Sequence, residues 1–296
     1  MSRAMQPSDT AAFVTRFAPS PTGLLHLGHA YSACLAHDMA RAAGGTFLLR
    51  IEDLDRDRCR AEYEAALCED LRWLGLDWPE PPLRQSARSD AYAAALGPLT
   101  DAGLTYPCSC TRGDIARALS APQEGDPATG PDGPIYPGTC RGRPMADARP
   151  GDAVRLDMAR AVAGLSHSLG FLETGEGAAR HVTVTPDALT GTVGDVVLAR
   201  RGTGATAYHL AVVVDDAHQG VTHVIRGRDL AAATPIHVLL QRLLGLPTPV
   251  YHHHRLIRDE TGKRLAKRDD ARAIARYRAE GASPADIRRM VGLGAN

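Results

Sequence analysis

The run His26-Leu27-Gly28-His29 sets two imidazoles around a glycine, directly after an apolar segment that stops at Pro19 and Pro21. A strand that turns into a helix here presents unpaired backbone N–H groups and the positive end of a helix dipole, which together suit phosphate. The rings of His26 and His29 can donate hydrogen bonds to phosphate oxygens, and Gly28 lets a planar nucleotide approach the backbone. Far downstream, residues 261–269 hold both lysines of the chain, Lys263 and Lys267, whereas every other member of the 34 Lys+Arg is arginine. An ammonium is a mobile point charge that can follow phosphate oxygens as they shift, where a planar guanidinium suits fixed two-pronged contacts. Each stretch alone is weak, since histidines near a helix start are commonly incidental and lysines in a turn are commonly solvated. Together they point to nucleotide phosphate chemistry.

A second cluster has the residue types of a metal site. Cys108 and Cys110 are separated by one residue, and Tyr136-x-x-x-Cys140 follows in a stretch dense in Pro and Gly. Three thiolates and one oxygen can complete a tetrahedral zinc site, and such a staple would stabilise an irregular insert. His167 and His181 are weaker candidates for the fourth ligand, because each falls in a strand or loop of its own. The six cysteines do not suggest a disulfide scaffold. Cys34, Cys59 and Cys68 are scattered in helical patterns and read as small core residues.

The elements that must position these groups follow from periodicity. "AFVTRFAPS" opens as a strand, "HAYSACLAHDMARAA" reads as a helix closed by Gly44 and Gly45, and "TFLLRIED" is a short buried strand. Helical spacing recurs over residues 61–76 and 89–99. Strand, helix, strand, helix, helix predicts an α/β unit with a parallel sheet. Residues 120–151 break the pattern and read as part of an inserted module. Strand-like runs follow at "AVRLDM", "HVTVTP" and "VGDVVLAR", and the α/β pattern resumes with "YHLAVVVDD" and "VTHVIRG". "TPIHVLLQRLLG" is a helix with Thr234 expected as N-cap and Pro235 at the first position, and a last helix is expected after Ser283 and Pro284. The expected division is 1–105 (first half of the catalytic domain), 106–190 (inserted zinc module), 191–245 (second half) and 246–296 (basic loop and helical stub).

Bulk properties set outer limits. A chain of 296 residues with 44% hydrophobic and 23% charged content reads as globular. No apolar run reaches the length of a membrane span, and the first residues lack an apolar signal core, so a loose leader and a cytoplasmic protein are expected. Net charge is +0, but from Tyr251 onward 11 Lys/Arg face 6 Asp/Glu. That excess is a modest footprint for a polyanion. No heptads or apolar strip suggest self-association, so a monomer is expected.

"RFAPSPTGLLHLGH" resembles the HIGH signature of class I aminoacyl-tRNA synthetases in its glutamyl/glutaminyl version. "RIEDLDRDR" at 50–58 is similar to the segment after the second strand of that family, "AYHLAVVVDDAHQGVTHVIRGRDL" at 207–230 to its second Rossmann half, and "HHHRLIRDETGKRLAKRDDA" at 252–271 to the stretch ending in the KMSKS signature. The resemblance implies a Rossmann-type catalytic core with an inserted zinc-containing acceptor-type module and a short helical C-terminal stem-contact region. It implies ATP with Mg²⁺ at His26, Gly28, His29, Arg264 and Lys267, with His26, His29 and Lys267 catalytic. It implies glutamate at Arg16, Ala18, Ser20, Glu52, Tyr208 and Arg226, where two guanidinium forks would suit a dicarboxylate and Glu52 its ammonium. The Cys108, Cys110, Tyr136 and Cys140 arrangement occurs in the same family as a zinc site.

The last signature departs from the family's pattern. Aligned without gaps, Arg264, Leu265, Ala266, Lys267 and Arg268 stand for K, M, S, K and S. The first lysine is thus replaced by Arg264 and the serine hydroxyl is missing at Ala266. Arg268 is followed by only 28 of the 296 residues, where a full glutamyl enzyme continues into helical anticodon-binding modules. That brevity resembles the truncated paralogue that activates glutamate without tRNA and transfers it to queuosine in the tRNA(Asp) anticodon stem-loop. Arg272, Arg276 and Arg278 would then be phosphate contacts. A minimal synthetase charging a tRNA 3′ end, a small-molecule HxGH nucleotidyltransferase and a non-enzymatic binding module are the alternatives.

Overall fold

A computed structural model describes residues 12–120, 128–165, 168–175, 177–257 and 272–294. The first strand, β1 (Val14–Phe17), pairs in parallel with β2 (Thr46–Ile51), and β2 pairs in parallel with the short β3 (Leu83–Arg84). The crossover between β1 and β2 is the helix α1 (Leu27–Ala42). Its alanines and Cys34 pack on Phe17, Leu49 and Ile51, so the face toward the sheet is small and apolar. The helix stops where Gly44 takes φ +62, and a side chain on Gly45 would strike the Phe13 carbonyl. The expected helices appear as α2 (Ala61–Trp73) and α3 (Ser89–Asp101).

A second parallel set comprises β11 (His223–Gly227), β12 (Val250–His254) and β8 (Leu169–Glu173), with β9 (Arg180–Val184) antiparallel at the edge. The two sets adjoin beside β1. Thr222 N donates to the Val14 carbonyl at 2.9 Å, and Val14 N donates to Thr222 Oγ1 at 2.9 Å. Strand order reverses at that junction, so the carboxyl ends of β1, β2 and β11 open on one crevice, the place where α/β sheets bind ligands. Behind the strands, α7 (Tyr208–His218) and α8 (Thr234–Leu243) bury Leu210, Val213, Ile236 and Leu239 in the larger core.

The inserted sheet is antiparallel, ordered β10 (Val197–Ala199), β7 (Ala153–Leu156) and β4 (Thr105–Cys108). A tight hairpin of β5 (Thr129–Gly130) and β6 (Gly133–Pro134) lies within the Pro/Gly stretch, and the short helices α4 (Arg112–Leu119), α5 (Met158–Ala163) and α6 (Pro186–Ala188) lie along the same part of the chain. The sheets interleave along the chain, and the pairings cross the boundary expected at 190. β8 already belongs to the parallel sheet, while β10 returns to the antiparallel one. Alternating apolar runs look alike in both sheets, so only the pairing partner separates them.

Two local expectations are corrected. Thr234 is not an N-cap: a 3₁₀ turn over Arg228–Ala233 runs straight into α8, leaving Thr234 in helical geometry and fully buried. Cys59 is not a core residue, because it lies in the turn before α2 and is partly exposed, whereas Cys34 is fully buried and Cys68 packs against the same cluster. After the loop, α9 (Ile274–Ala279) and α10 (Pro284–Met290) follow, the latter capped by Ser283 as expected. Among the described residues no helix is long and apolar enough to cross a membrane.

Candidate active site

His26 and His29 form the start of α1 together. His26 is the N-cap: its Nδ1 accepts from Gly28 N at 3.1 Å, while its own N donates to His29 Nδ1 at 3.2 Å. The rings lie 3.8 Å apart, and a Cβ on Gly28 would meet the His26 ring at 2.9 Å. Gly28 is therefore required by its neighbour as well as by any nucleotide. Because each Nδ1 accepts, each neutral ring carries its proton on Nε2, as a donor. Lys263, Arg264 and Lys267 lie outside the described residues, but both flanks of their loop are fixed. Ile257 packs with Tyr31 and Val291, and Ile274 N donates to the Leu25 carbonyl at 2.8 Å. Ala273 bridges His26 itself. The chain thus leaves and re-enters the described structure beside the histidine signature.

The residues expected to hold an amino acid converge at the strand ends. Arg16 lies on β1, one residue before its end, and is 4% exposed, Glu52 follows β2, Tyr208 opens α7 and Arg226 lies on β11. Ala18 is partly buried and Ser20 exposed on the turn after β1. Burial raises the Tyr208 phenol, and the charges of Arg226, Glu52, Arg16 and Asp216 all act on it, so these groups lie near one another. The arginines do not offer open forks. Arg16 Nε and Nη2 donate to Asp216 at 2.9 and 3.4 Å. Arg226 donates through Nε to His253 (3.2 Å), through Nη1 to His237 (3.2 Å) and through Nη2 to the Leu230 carbonyl (3.2 Å) and Thr234 Oγ1 (2.8 Å). Among the hydrogen bonds of the described residues, Arg226 retains one N–H, the second on Nη1, whereas Arg16 retains both on Nη1 and one on Nη2.

Several of these partners had no expected role. Arg50, wholly buried, donates to Asp216 Oδ1 at 2.6 Å, Gln219 at 3.1 Å and Glu52 at 3.3 Å. Burial pushes the Asp216 carboxyl up, but Arg16 and Arg50 outweigh it and hold it below its usual value. For Glu52 burial wins over the same two arginines, and its pKa is raised. Asp215, also fully buried, accepts from Gln85, Arg88 and Tyr92. The sequence did hold one signal: two adjacent carboxylates closing the apolar run of "LAVVVDD" need buried partners.

The cysteines come together as expected. The sulfurs of Cys108, Cys110 and Cys140 lie within 4.8 Å of one another, and Cys110 and Cys140 are 3.6 Å apart. The Tyr136 hydroxyl is 3.3 Å from Cys108 Sγ and 3.4 Å from Cys110 Sγ, and it accepts from Cys140 N at 2.8 Å. Tetrahedral zinc would set sulfurs about 3.8 Å apart and an oxygen about 3.5 Å from each. The four groups fit that geometry, so they would hold the ion and it would clamp the insert. His181 stands instead on β9 with its ring against Gly170, and His167 lies outside the described residues.

The C-terminal arginines have acidic neighbours within the chain. Arg276 pairs with Glu280 at 3.1 Å, Arg272 pairs with the same carboxylate, and Arg278 meets Glu69 at 3.1 Å and Asp70 at 3.7 Å.

Comparison with known proteins is consistent across sequence and structure. The family model for the class I tRNA synthetase (E and Q) catalytic domain matches residues 12–150 and 166–294. A Glutamyl-Q tRNA(Asp) synthetase of Rhodobacter capsulatus is 62% identical over 283 residues, covering 95% of this chain and 100% of that protein. One from Symbiobacterium thermophilum is 43% identical, covering 92% of this chain and 83% of its own. Among solved structures, a glutamate tRNA ligase from Elizabethkingia meningosepticum in complex with its amino acid superposes with TM-score 0.74 at 28% identity, over 95% of this chain. This chain spans 60% of that ligase's length. The chain belongs to the class I tRNA synthetases of the glutamyl and glutaminyl type and, among them, to the Glutamyl-Q tRNA(Asp) synthetase family of ligases.

Proposed function

We propose that the protein activates L-glutamate with ATP, without tRNA, and transfers it to the queuosine base in the anticodon stem-loop of tRNA(Asp). In the first step the glutamate α-carboxylate attacks the α-phosphorus of ATP and pyrophosphate leaves. In the second a hydroxyl of the queuosine cyclopentenediol attacks the acyl carbonyl and AMP leaves. Neither step needs a side-chain nucleophile, so positioning and charge stabilisation do the catalysis. His26 and His29 offer Nε2–H donors at the helix start, and Lys267, with Arg264, supplies mobile charge to the phosphates. Mg²⁺ accompanies the nucleotide. Arg16 and Arg226 take the carboxylates, Glu52 the ammonium, Tyr208 a polar contact, and the backbone around Ala18 and Ser20 lines the same end. Structural zinc on Cys108, Cys110, Tyr136 and Cys140 holds the insert, and the protein works as a cytoplasmic monomer.

The observation that carries this reading is that Arg16, Glu52 and Arg226 stand close enough to Tyr208 for their charges to act on its phenol, while the strand that bears Arg16 leads into the His26–His29 helix start. Its test is ATP–pyrophosphate exchange in the absence of tRNA. Exchange is expected with L-glutamate and to be at least tenfold weaker with glutamine or aspartate, by the cost of leaving a buried charge unmatched. Lys267→Ala should abolish it. Exchange that requires tRNA, or that ignores the amino acid, contradicts the reading.

A further inference from the structure

A continuous line of hydrogen-bonded side chains crosses the molecule from the inserted hairpin to the parallel sheet. It begins at Asp132, in the turn between β5 and β6, whose carboxylate lies 2.9 and 3.0 Å from His209 Nε2. His209 Nδ1 is 3.0 Å from His237 Nε2, and His237 Nδ1 is 3.2 Å from Arg226 Nη1. On the other side Arg226 Nε is 3.2 Å from His253 Nε2, and His253 Nδ1 bonds to Glu173. His209, His237, His253 and Arg226 are each no more than 6% exposed.

The direction of every bond follows from Arg226, because a guanidinium can only donate. His237 must therefore accept at Nδ1 and carry its proton on Nε2. That proton goes to His209 Nδ1, which leaves the His209 proton on Nε2, facing the Asp132 carboxylate. His253 accepts at Nε2 and donates from Nδ1 to Glu173. Each ring is neutral in one defined tautomer, and no other assignment of the neutral rings satisfies all the bonds. A reversed His237 would aim an N–H at the guanidinium.

We propose that His237 and His253 are positioning residues for Arg226, and that Asp132 of the inserted hairpin fixes the His237 tautomer through His209, so that the insert takes part in orienting the substrate arginine. This rests on the assignment of Arg226 to glutamate. Nε, both hydrogens of Nη2 and one of Nη1 are held, the last by His237, which leaves the second Nη1 hydrogen to meet the substrate in one orientation. A carboxylate contact made with a pre-set guanidinium loses less rotamer freedom on binding.

The test uses the full chain in glutamate-dependent ATP–pyrophosphate exchange, with thermal melting in parallel. His237→Leu removes the acceptor. It should raise the KM for glutamate about tenfold, the scale of a hydrogen bond to a charged group, with the KM for ATP within about twofold. His237→Asn places an amide oxygen where Nδ1 stood and should recover most of that loss. Asp132→Ala should raise the KM for glutamate by about threefold. A folded His237→Leu protein with unchanged KM for glutamate overturns the proposal, as does His237→Asn failing equally, which would make the ring a packing element only. Arg226→Gln separates the two levels. If it leaves the KM for glutamate unchanged, the substrate assignment falls and the proposal with it; if it raises that KM and His237→Leu does not, the relay alone falls. Should His237→Leu fail to fold, ¹⁵N spectra of histidine-labelled protein decide: Nε2–H at His209 and His237 with Nδ1–H at His253 supports the relay, and any other pattern overturns it.

Discussion

Glu52 is the residue whose chemistry is most exposed to test. Its carboxyl is buried, and burial raises its pKa even with Arg50 and Arg16 nearby. A bound α-ammonium would favour the anion and draw that pKa back down, so glutamate binding is linked to loss of the Glu52 proton. The KM for glutamate should therefore fall as pH rises through this titration. Glu52→Gln should raise it at least tenfold at neutral pH and flatten the pH dependence. A flat profile in the parent protein would contradict the role of Glu52 as the ammonium partner. At this scale the signatures were legible where spacing encodes them. His26-x-x-His29 became a capping box, and Cys108-x-Cys110 met Tyr136-x-x-x-Cys140. What spacing could not encode is the partner set. Asp132, His209, His237 and His253 share no period, and the engagement of Arg16 by Asp216 joins positions 200 residues apart. Only the fold brings such groups together.

Among the elements, α2 carries a charge that works against stability. Asp70 is 1% exposed, neither carboxyl oxygen has a hydrogen-bond partner among the described residues, and Arg278 Nη2 stands 3.7 Å away. Burial raises its pKa from 3.8 to about 6, with Arg278 offsetting part of the effect. The folded state thus holds the proton more tightly than the unfolded one. The resulting penalty is absent below the unfolded pKa and complete above the folded one. Asp70→Asn should stabilise the protein at pH 8 by about 2 kcal/mol, with the gain shrinking toward pH 4. Equal or lower stability of the variant at pH 8 in urea unfolding would contradict this. In the inserted element, the protein should carry about one zinc per chain by elemental analysis. Cys140→Ser should lose it and lower Tm, while a metal-free parent protein with unchanged Tm would remove the ion from the account. Most core helices and strands were legible from periodicity, but β8, β12 and the sheet membership of β10 were not. The partners of β8 and β10, namely β12 and β7, lie 78 and 42 positions away along the chain in the pairs Tyr251↔Glu173 and Val197↔Arg155.

At the scale of the molecule, the parallel sheets bring the residues proposed to bind the amino acid to the carboxyl ends of β1, β2 and β11. The chain on either side of the basic loop is anchored near the histidine signature, at Ile257, Ala273 and Ile274. α10 then packs back on the core through Ile287, and Arg288 bonds to Asp38 of α1. The C-terminal helices are thus part of the catalytic body, with Arg272, Arg276 and Arg278 on them or beside them. Fold class was legible because strand and helix periods alternate in family order. The acceptor was not, since no residue pattern in one chain spells out a modified base. The central claim is therefore tested most directly by transfer of labelled glutamate to tRNA(Asp) with and without queuosine, before and after removal of the 3′ adenosine. The account predicts label that requires queuosine and survives loss of the 3′ end; label that ignores queuosine and disappears with the 3′ adenosine would contradict it.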